Sequence, residues 1–281
     1  MASSSTKARV GSLAQVGVIA KYNFLNYFRA RRFYVMLAIV LLITLLLSIA
    51  IGYYKPAGLV GTAGTSLGFY STVWGSFISL LVILLTAFFG GDAISAEFQN
   101  RTGYFLVPNP IRRSAIYVGK WFAALTASTI MLLLYSLIIM ANGFYYFPGS
   151  IPNEFLQALL YAWIYLVAAL SLAFAFSSLF KSSSIAIFMS VILLLIAFPI
   201  VDLVSSAFAN VEPWFSITYG AEIVTQVLNK GPTALTGGPG ARVVGGLFVP
   251  TIPEGLEILG AYFIIAAVLG LWLFQHKEFT S

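Results

Sequence analysis

Six stretches of the sequence are long and apolar enough to cross a bilayer as helices, and this pattern limits the fold more than any other feature. Spanning about 30 Å of hydrocarbon takes roughly 20 apolar residues of helix. Because lipid offers no hydrogen-bond partners for backbone N–H and C=O groups, each stretch is expected to be helical. The expected spans are residues 34–54, 68–91, 121–143, 155–180, 184–201 and 258–274. Only 9% of the residues are charged, so the sequence predicts an all-α integral membrane protein, with residues 1–281 forming a single transmembrane domain.

The basic residues predict how the spans are oriented. If the N-terminus lies in the cytoplasm, only Lys55, Lys230 and Arg242 of the fifteen lysines and arginines fall on the outer side. The positive-inside rule therefore predicts a multi-pass protein of the cell membrane with both termini in the cytoplasm. The net charge of +6 follows this topology rather than one docking patch, so no binding of nucleic acid is expected.

Residues 1–33 form a cytoplasmic segment that mixes aromatic and basic side chains. We expect an interfacial helix before the first span, with Arg31 and Arg32 as anchors at the membrane boundary. An ordinary basic flank that only sets orientation is the alternative.

The longest segment between spans covers residues 202–257 on the outer side. Residues 215–230 are compatible with a helix but too short and polar to span, and the apolar stretch from Val243 to Val249 favours a cap that touches or re-enters the membrane. A flexible outer loop is the alternative. Pro199, near the outer end of the fifth expected span, should kink or end that helix.

The sequence lacks the residues of several kinds of chemistry. It has no cysteine and one histidine, His276, which argues against thiol chemistry and a His-rich metal site. The expected spans contain no Asp, Glu, Lys, Arg or His, which argues against transport coupled to protons or sodium through carboxylates. The sequence holds neither HExxH nor GxxxxGK[ST]. We therefore expect no catalytic, metal or cofactor site in this chain, and any energy source must lie in another chain.

Residues 92–120 form a charged loop between the second and third expected spans, on the cytoplasmic side. From Asp92 to Val107 no proline intervenes, and the composition favours a short helix. Glu97 and Arg101 are four residues apart in the favourable acid-then-base order.

The end of this loop predicts a rigid turn. Gly103 weakens the helix, and Pro108 and Pro110 end it. Arg113 follows, and Lys120 is expected at the lipid boundary, where its aliphatic stem can snorkel.

The loop resembles that of the membrane-spanning, or permease, subunit of ABC transporters of the type-2 exporter class. In that class the loop commonly reads Glu, then Gly-Thr, a Leu-Leu pair, Pro, Arg and finally Gly-Lys. The matching positions are Glu97, Arg101, Thr102, Leu106, Val107, Pro110, Arg113, Gly119 and Lys120. Arg101 stands where the family has glycine, and a glycine follows one step after the threonine, at Gly103.

This resemblance implies a coupling helix that docks on a separate P-loop ATPase subunit, which binds ATP and Mg. It also implies two permease chains, as a homodimer or with a close relative, that form the substrate pathway of an exporter. The chain would then not be an enzyme by itself. The docking residues implied are Glu97, Arg101, Thr102, Gly103, Leu106, Val107, Pro110 and Arg113.

Other functions remain open at this point. A stand-alone channel or carrier would transport without an ATPase, and a non-transporting anchor or assembly subunit would not transport at all. A lipid-modifying enzyme would need a base to activate a serine or tyrosine, and His276 is isolated near the C-terminus. A route without buried charge suits an apolar or amphipathic substrate.

Overall fold

The computed structural model describes residues 12–60, 65–99, 112–149, 151–229, 242–244 and 247–276. Nearly all of these residues are helical, and six helical runs are long and apolar enough to cross a membrane. We call them spans 1 to 6: Arg31–Pro56, Ser66–Gln99, Arg113–Tyr146, Asn153–Leu179, Ser183–Ala207 and Ile252–His276. The predicted all-α architecture with six membrane-spanning helices is confirmed.

Two of the spans contain π-helical turns. Span 2 combines Ser66–Phe69, the π-helical turn Tyr70–Trp74, Gly75–Gly90 and the short helix Ser95–Gln99. Span 5 combines Ser183–Ile192, the π-helical turn Leu193–Ala197 and Phe198–Ala207. The helical segment of span 1 is assigned as Arg31–Val60, with a non-helical Lys55 before Pro56.

The sequence predicted that Pro199 would kink or end span 5, but the helix does not end there. The π-helical turn ends just before Pro199, and the N–H of Phe198 donates to the carbonyl of Leu193. Pro199 then lies in the first turn of the segment Phe198–Ala207, where its missing N–H costs little. The helix therefore continues beyond Val201, and Asp202 lies inside span 5 instead of after it.

Spans 2, 3 and 4 form the centre of the bundle, whereas spans 1, 5 and 6 expose most of their side chains. Gly90 of span 2 packs on span 4 so closely that a Cβ there would lie 2.8 Å from Leu170 Cδ1 and 3.1 Å from Ala173 Cβ. Trp74 Nε1 of span 2 donates to Ser136 Oγ of span 3 at 3.0 Å. The outer faces of spans 1, 5 and 6 are apolar and suit contact with lipid or another protein chain.

The N-terminal helix, Ser12–Arg29, lies against the start of span 3. A Cβ on Gly119 would come within 2.7 Å of Ile19 Cγ2 and 3.1 Å of the Val16 carbonyl oxygen. Tyr27 Oη also donates to the Phe89 carbonyl at 2.9 Å. The helix expected before the first span is present, and it packs on the bundle.

The described part of the segment between spans 5 and 6 contains two short helices and a pair of strands. The helices are Ile217–Ala221 and Ile223–Gln226, where the sequence indicated helix. Strand β1, Arg242–Val244, pairs antiparallel with β2, Leu247–Val249. The described residues of the apolar stretch from Val243 to Val249 thus belong to two paired strands, and the predicted contact of this stretch with the membrane stays a prediction.

Candidate functional site

Polar side chains at the end of span 2 and the start of span 3 connect the predicted docking loop to most of the bundle. We call this cluster the loop hub and define it as Asp92, Ser95, Glu97, Gln99 and Lys120. Asp92, Ser95 and Lys120 are buried. Because polar groups in an apolar surrounding are costly unless they are paired, each hub contact is expected to hold two elements together.

The central contact of the hub joins Glu97 and Lys120. Lys120 Nζ donates to Glu97 Oε1 at 2.5 Å and to the Ala93 carbonyl oxygen at 2.9 Å. The lysine side chain is 8% exposed and the glutamate side chain 20%. Lys120 therefore lies inside the protein and contacts Glu97, whereas the sequence predicted a lysine that snorkels at the lipid boundary. The ion pair fixes the start of span 3 to the end of span 2.

A second ion pair of the hub joins spans 1 and 2. The exposed Arg32 guanidinium contacts the carboxylate of Asp92, which is buried. Arg31, beside it, is exposed. Of the two arginines predicted as anchors, Arg32 thus has a partner within the protein.

The short helix Ser95–Gln99 is also held by spans 4 and 5. Ser177 Oγ accepts hydrogen bonds from the backbone N–H groups of Ile94 at 2.9 Å and Ser95 at 3.0 Å. These two donors lie where the helix begins and have no partner within it. Gln99 Oε1 accepts from the N–H of Ser183 at 2.9 Å, at the start of span 5.

The other side of the loop is held to span 6. Arg113 Nη1 donates to the Gln275 carbonyl oxygen at 3.0 Å. Glu97 and Arg113, at the two ends of the predicted docking set, are therefore bound to the bundle. The remaining members lie outside the described residues: Arg101, Thr102, Gly103, Leu106, Val107 and Pro110.

The opposite end of the bundle contains a cavity of about 490 Å³. We call it the acidic cavity, and it lies between spans 2, 4 and 5 and the helices of the segment that follows span 5. Its walls are mostly apolar, but Asp202, Glu222 and Tyr165 line it. Thr218 Oγ1 donates to Asp202 Oδ2 at 2.5 Å. Sequence reasoning missed this site, because it placed Asp202 after the fifth span.

Burial raises the pKa of Glu222 to about 7, and repulsion from Asp202 contributes. The side chain keeps an exposed surface, but the surrounding protein removes part of its hydration. Between the ordinary value of 4.5 and about pH 7, the folded chain therefore binds a proton that the unfolded chain has lost. The contribution of Glu222 to folding stability then falls as pH rises through this window.

This linkage predicts that Glu222→Gln flattens the pH dependence of thermal unfolding. The wild-type Tm in nanodiscs should fall more than that of the variant between pH 5 and pH 8. The wild type and the variant share the other titratable side chains that line the cavity, Asp202, Tyr165 and Tyr219. Glu257→Gln, which alters an exposed acid of span 6, is the control and should keep the wild-type slope. Equal slopes for Glu222→Gln and wild type would contradict the prediction.

One known protein family matches nearly the whole chain. The family model of the ABC-2 family transporter protein matches residues 18–279. A membrane protein of Bacillus subtilis (strain 168), YdbK, which is described as uncharacterized, is 26% identical over 208 residues. That match covers 72% of this chain and 79% of the relative.

Proposed function

Because the chain belongs to the ABC-2 family of transporter proteins, we propose that it is the permease subunit of an ATP-driven exporter. Separate P-loop ATPase subunits dock on residues 92–120, and a second permease chain, identical or closely related, completes the substrate pathway. The protein lies in the cell membrane, with the loop hub and both termini on the cytoplasmic side. The family itself implies association with an ATPase subunit and a membrane.

The loop hub is the observation that carries this proposal. Hydrogen bonds and ion pairs join the two flanks of the loop to spans 1, 3, 4, 5 and 6. A loop that only connected spans 2 and 3 would not need such contacts. A loop that receives a push from another subunit needs them, because force is passed on only where the contacting elements are held together.

The work of the chain is then mechanical. ATP and Mg are bound by the partner, since the sequence of this chain has no phosphate-binding loop. When the ATPase subunits close, the segment after Glu97 moves, and the Glu97–Lys120 pair carries the movement into span 3. Ser177 carries it into span 4. Alternating access follows as a shift between two packings of the spans, biased by the nucleotide.

Co-expression with candidate P-loop ATPases tests this proposal. A tag on the permease should co-purify its ATPase, and the complex should hydrolyse ATP faster than the ATPase alone. Deleting residues 100–107 should abolish co-purification or bring hydrolysis to the basal rate. The control is Glu257→Gln at the far end of span 6, which should leave both unchanged.

Two outcomes would contradict the proposal. One is a deletion variant that still binds and stimulates the ATPase as the wild type does. The other is transport by the purified chain alone in liposomes, which would indicate a stand-alone carrier or channel.

A further inference from the structure

The acidic cavity contains polar atoms that have no partner among the described residues. Tyr165 is 1% exposed, lines the cavity, and its hydroxyl makes no hydrogen bond there. Asp202 Oδ1 is buried and also has no hydrogen-bond partner among the described residues. The other carboxylate oxygen, Oδ2, accepts a hydrogen bond from Thr218. A buried hydroxyl and a buried carboxylate oxygen normally find partners. Their position in a cavity leaves them open to hydrogen bonds from a bound molecule.

The charge of the cavity selects the sign of that molecule. Asp202 and Glu222 both line it, and none of the described residues that line it is a lysine, arginine or histidine. Two carboxylates against low-dielectric walls attract a cation and repel an anion. The remaining lining includes Leu80, Ile83 and Leu194, which suits an apolar portion of the ligand.

We propose that the acidic cavity binds a primary ammonium ion that carries an apolar tail. An ammonium group has three N–H donors, and the cavity offers three acceptors: Asp202 Oδ1, the Glu222 carboxylate and the Tyr165 hydroxyl oxygen. The tail lies against the leucine and isoleucine side chains. A volume of about 490 Å³ is within the usual range for sites of small organic ligands.

A divalent metal ion fits the same cavity less well. Calcium takes six to eight oxygen ligands, usually several carboxylates among them. Over the described ranges, no group of three or more aspartate, glutamate, histidine or cysteine residues could hold a metal ion. The apolar walls would also make no favourable contact with a bare metal ion.

The site goes beyond the proposed transport function, since binding requires neither an ATPase nor a second chain. Its test and the test of the permease proposal can therefore fail separately. If both hold, the cavity defines a class of cationic amphipathic substrate or regulator for the transporter.

Isothermal titration of the full chain in zwitterionic nanodiscs with 2-phenylethylammonium tests the inference. At pH 8, above the raised pKa of Glu222 of about 7, saturable binding of one molecule per chain is expected. Asp202→Asn should weaken binding at least tenfold, and Glu222→Gln and Tyr165→Phe should each weaken it severalfold. Glu257→Gln should bind as the wild type does.

The neutral analogue 2-phenylethanol separates charge recognition from partition into an apolar pocket or the lipid. It should show no saturable binding to the wild type. Binding of the amine and the alcohol with equal affinity would overturn the proposal. Amine binding that is unchanged in Glu222→Gln and Tyr165→Phe would also overturn it. These two variants are nearly isosteric with the wild type, so the test remains possible even if Asp202→Asn fails to fold. Absence of amine binding, together with calcium binding that these variants remove, would instead assign a metal site.

Discussion

Replacing Lys120 with methionine is expected to destabilise the folded chain by about 3 kcal/mol. The substitution keeps most of the side-chain volume but removes the ammonium group from Glu97 Oε1 and from the Ala93 carbonyl. A carboxylate in a largely buried position then loses this ammonium partner. That loss costs more than the ion pair contributes relative to an apolar replacement of both side chains. The estimate is at the lower end for a buried pair, because Glu97 keeps a fifth of its surface exposed. Thermal unfolding in nanodiscs measures the change.

Further variants identify the cause of the loss. The double variant Lys120→Met/Glu97→Gln should recover part of the lost stability, since no uncompensated charge remains. Lys21→Met removes an exposed lysine of the N-terminal helix and should change the stability little. If Lys120→Met and Lys21→Met lower the Tm equally, the ion pair does not hold spans 2 and 3 together.

The same variants separate coupling from folding. In complex with the ATPase, Lys120→Met should lose stimulated hydrolysis even at a temperature where it remains folded, because span 3 no longer follows Glu97. The double variant, although more stable, lacks the charged link and should stay uncoupled. Full stimulation in the double variant would show that the pair serves stability only.

The six spans could be predicted from the sequence, because the hydrocarbon thickness alone sets the length of an apolar run. Their ends could not. Span 3 begins at Arg113, well before the apolar run that starts after Lys120, and polar side chains of these first turns find partners within the protein. Arg113 finds one in span 6. Such a contact depends on how distant helices pack, which the local pattern does not contain.

The loop hub shows the same limit at the level of single contacts. The sequence singled out Glu97 and assigned it a neighbour one helical turn away, Arg101, which lies outside the described residues. The structure adds Lys120, at the far end of the loop. Two opposite charges that flank one loop are a weak signal, and only the packing of span 3 on span 2 turns the lysine inward. The sequence indicated the acidic cavity even less, since a proline three residues before Asp202 suggested that the helix had ended.

Gly255→Ala is the second substitution with a large expected effect, and it acts at the other end of the bundle. A Cβ at this position would lie 2.3 Å from Ile223 Cγ2 and 2.8 Å from the carbonyl oxygen of Gly220. A side chain can rotate away, but a backbone oxygen cannot, so span 6 and the helices Ile217–Ala221 and Ile223–Gln226 must separate. We expect a loss of about 2 kcal/mol, measured by thermal unfolding in nanodiscs.

Gly260→Ala is the matched control on the same helix. Among the residues that the structure describes, none lies within 4 Å of a Cβ at Gly260, and alanine favours a helix interior over glycine by up to about 1 kcal/mol. The same chemical change should therefore destabilise at one position and be neutral or stabilising five residues later. Equal effects would mean that the close approach of Gly220 and Gly255 does not fasten this segment to span 6.

The consequence of Gly255→Ala reaches the acidic cavity, because Thr218 and Glu222 lie on the segment that must move. Phenylethylammonium binding should weaken in Gly255→Ala and remain at the wild-type level in Gly260→Ala. ATPase co-purification should persist in both variants, since the loop hub lies at the opposite end of the bundle. A variant that keeps the ATPase but loses the amine would establish that the two ends of this chain have separate binding functions. Loss of both together would instead show that Gly255→Ala unfolds the bundle as a whole.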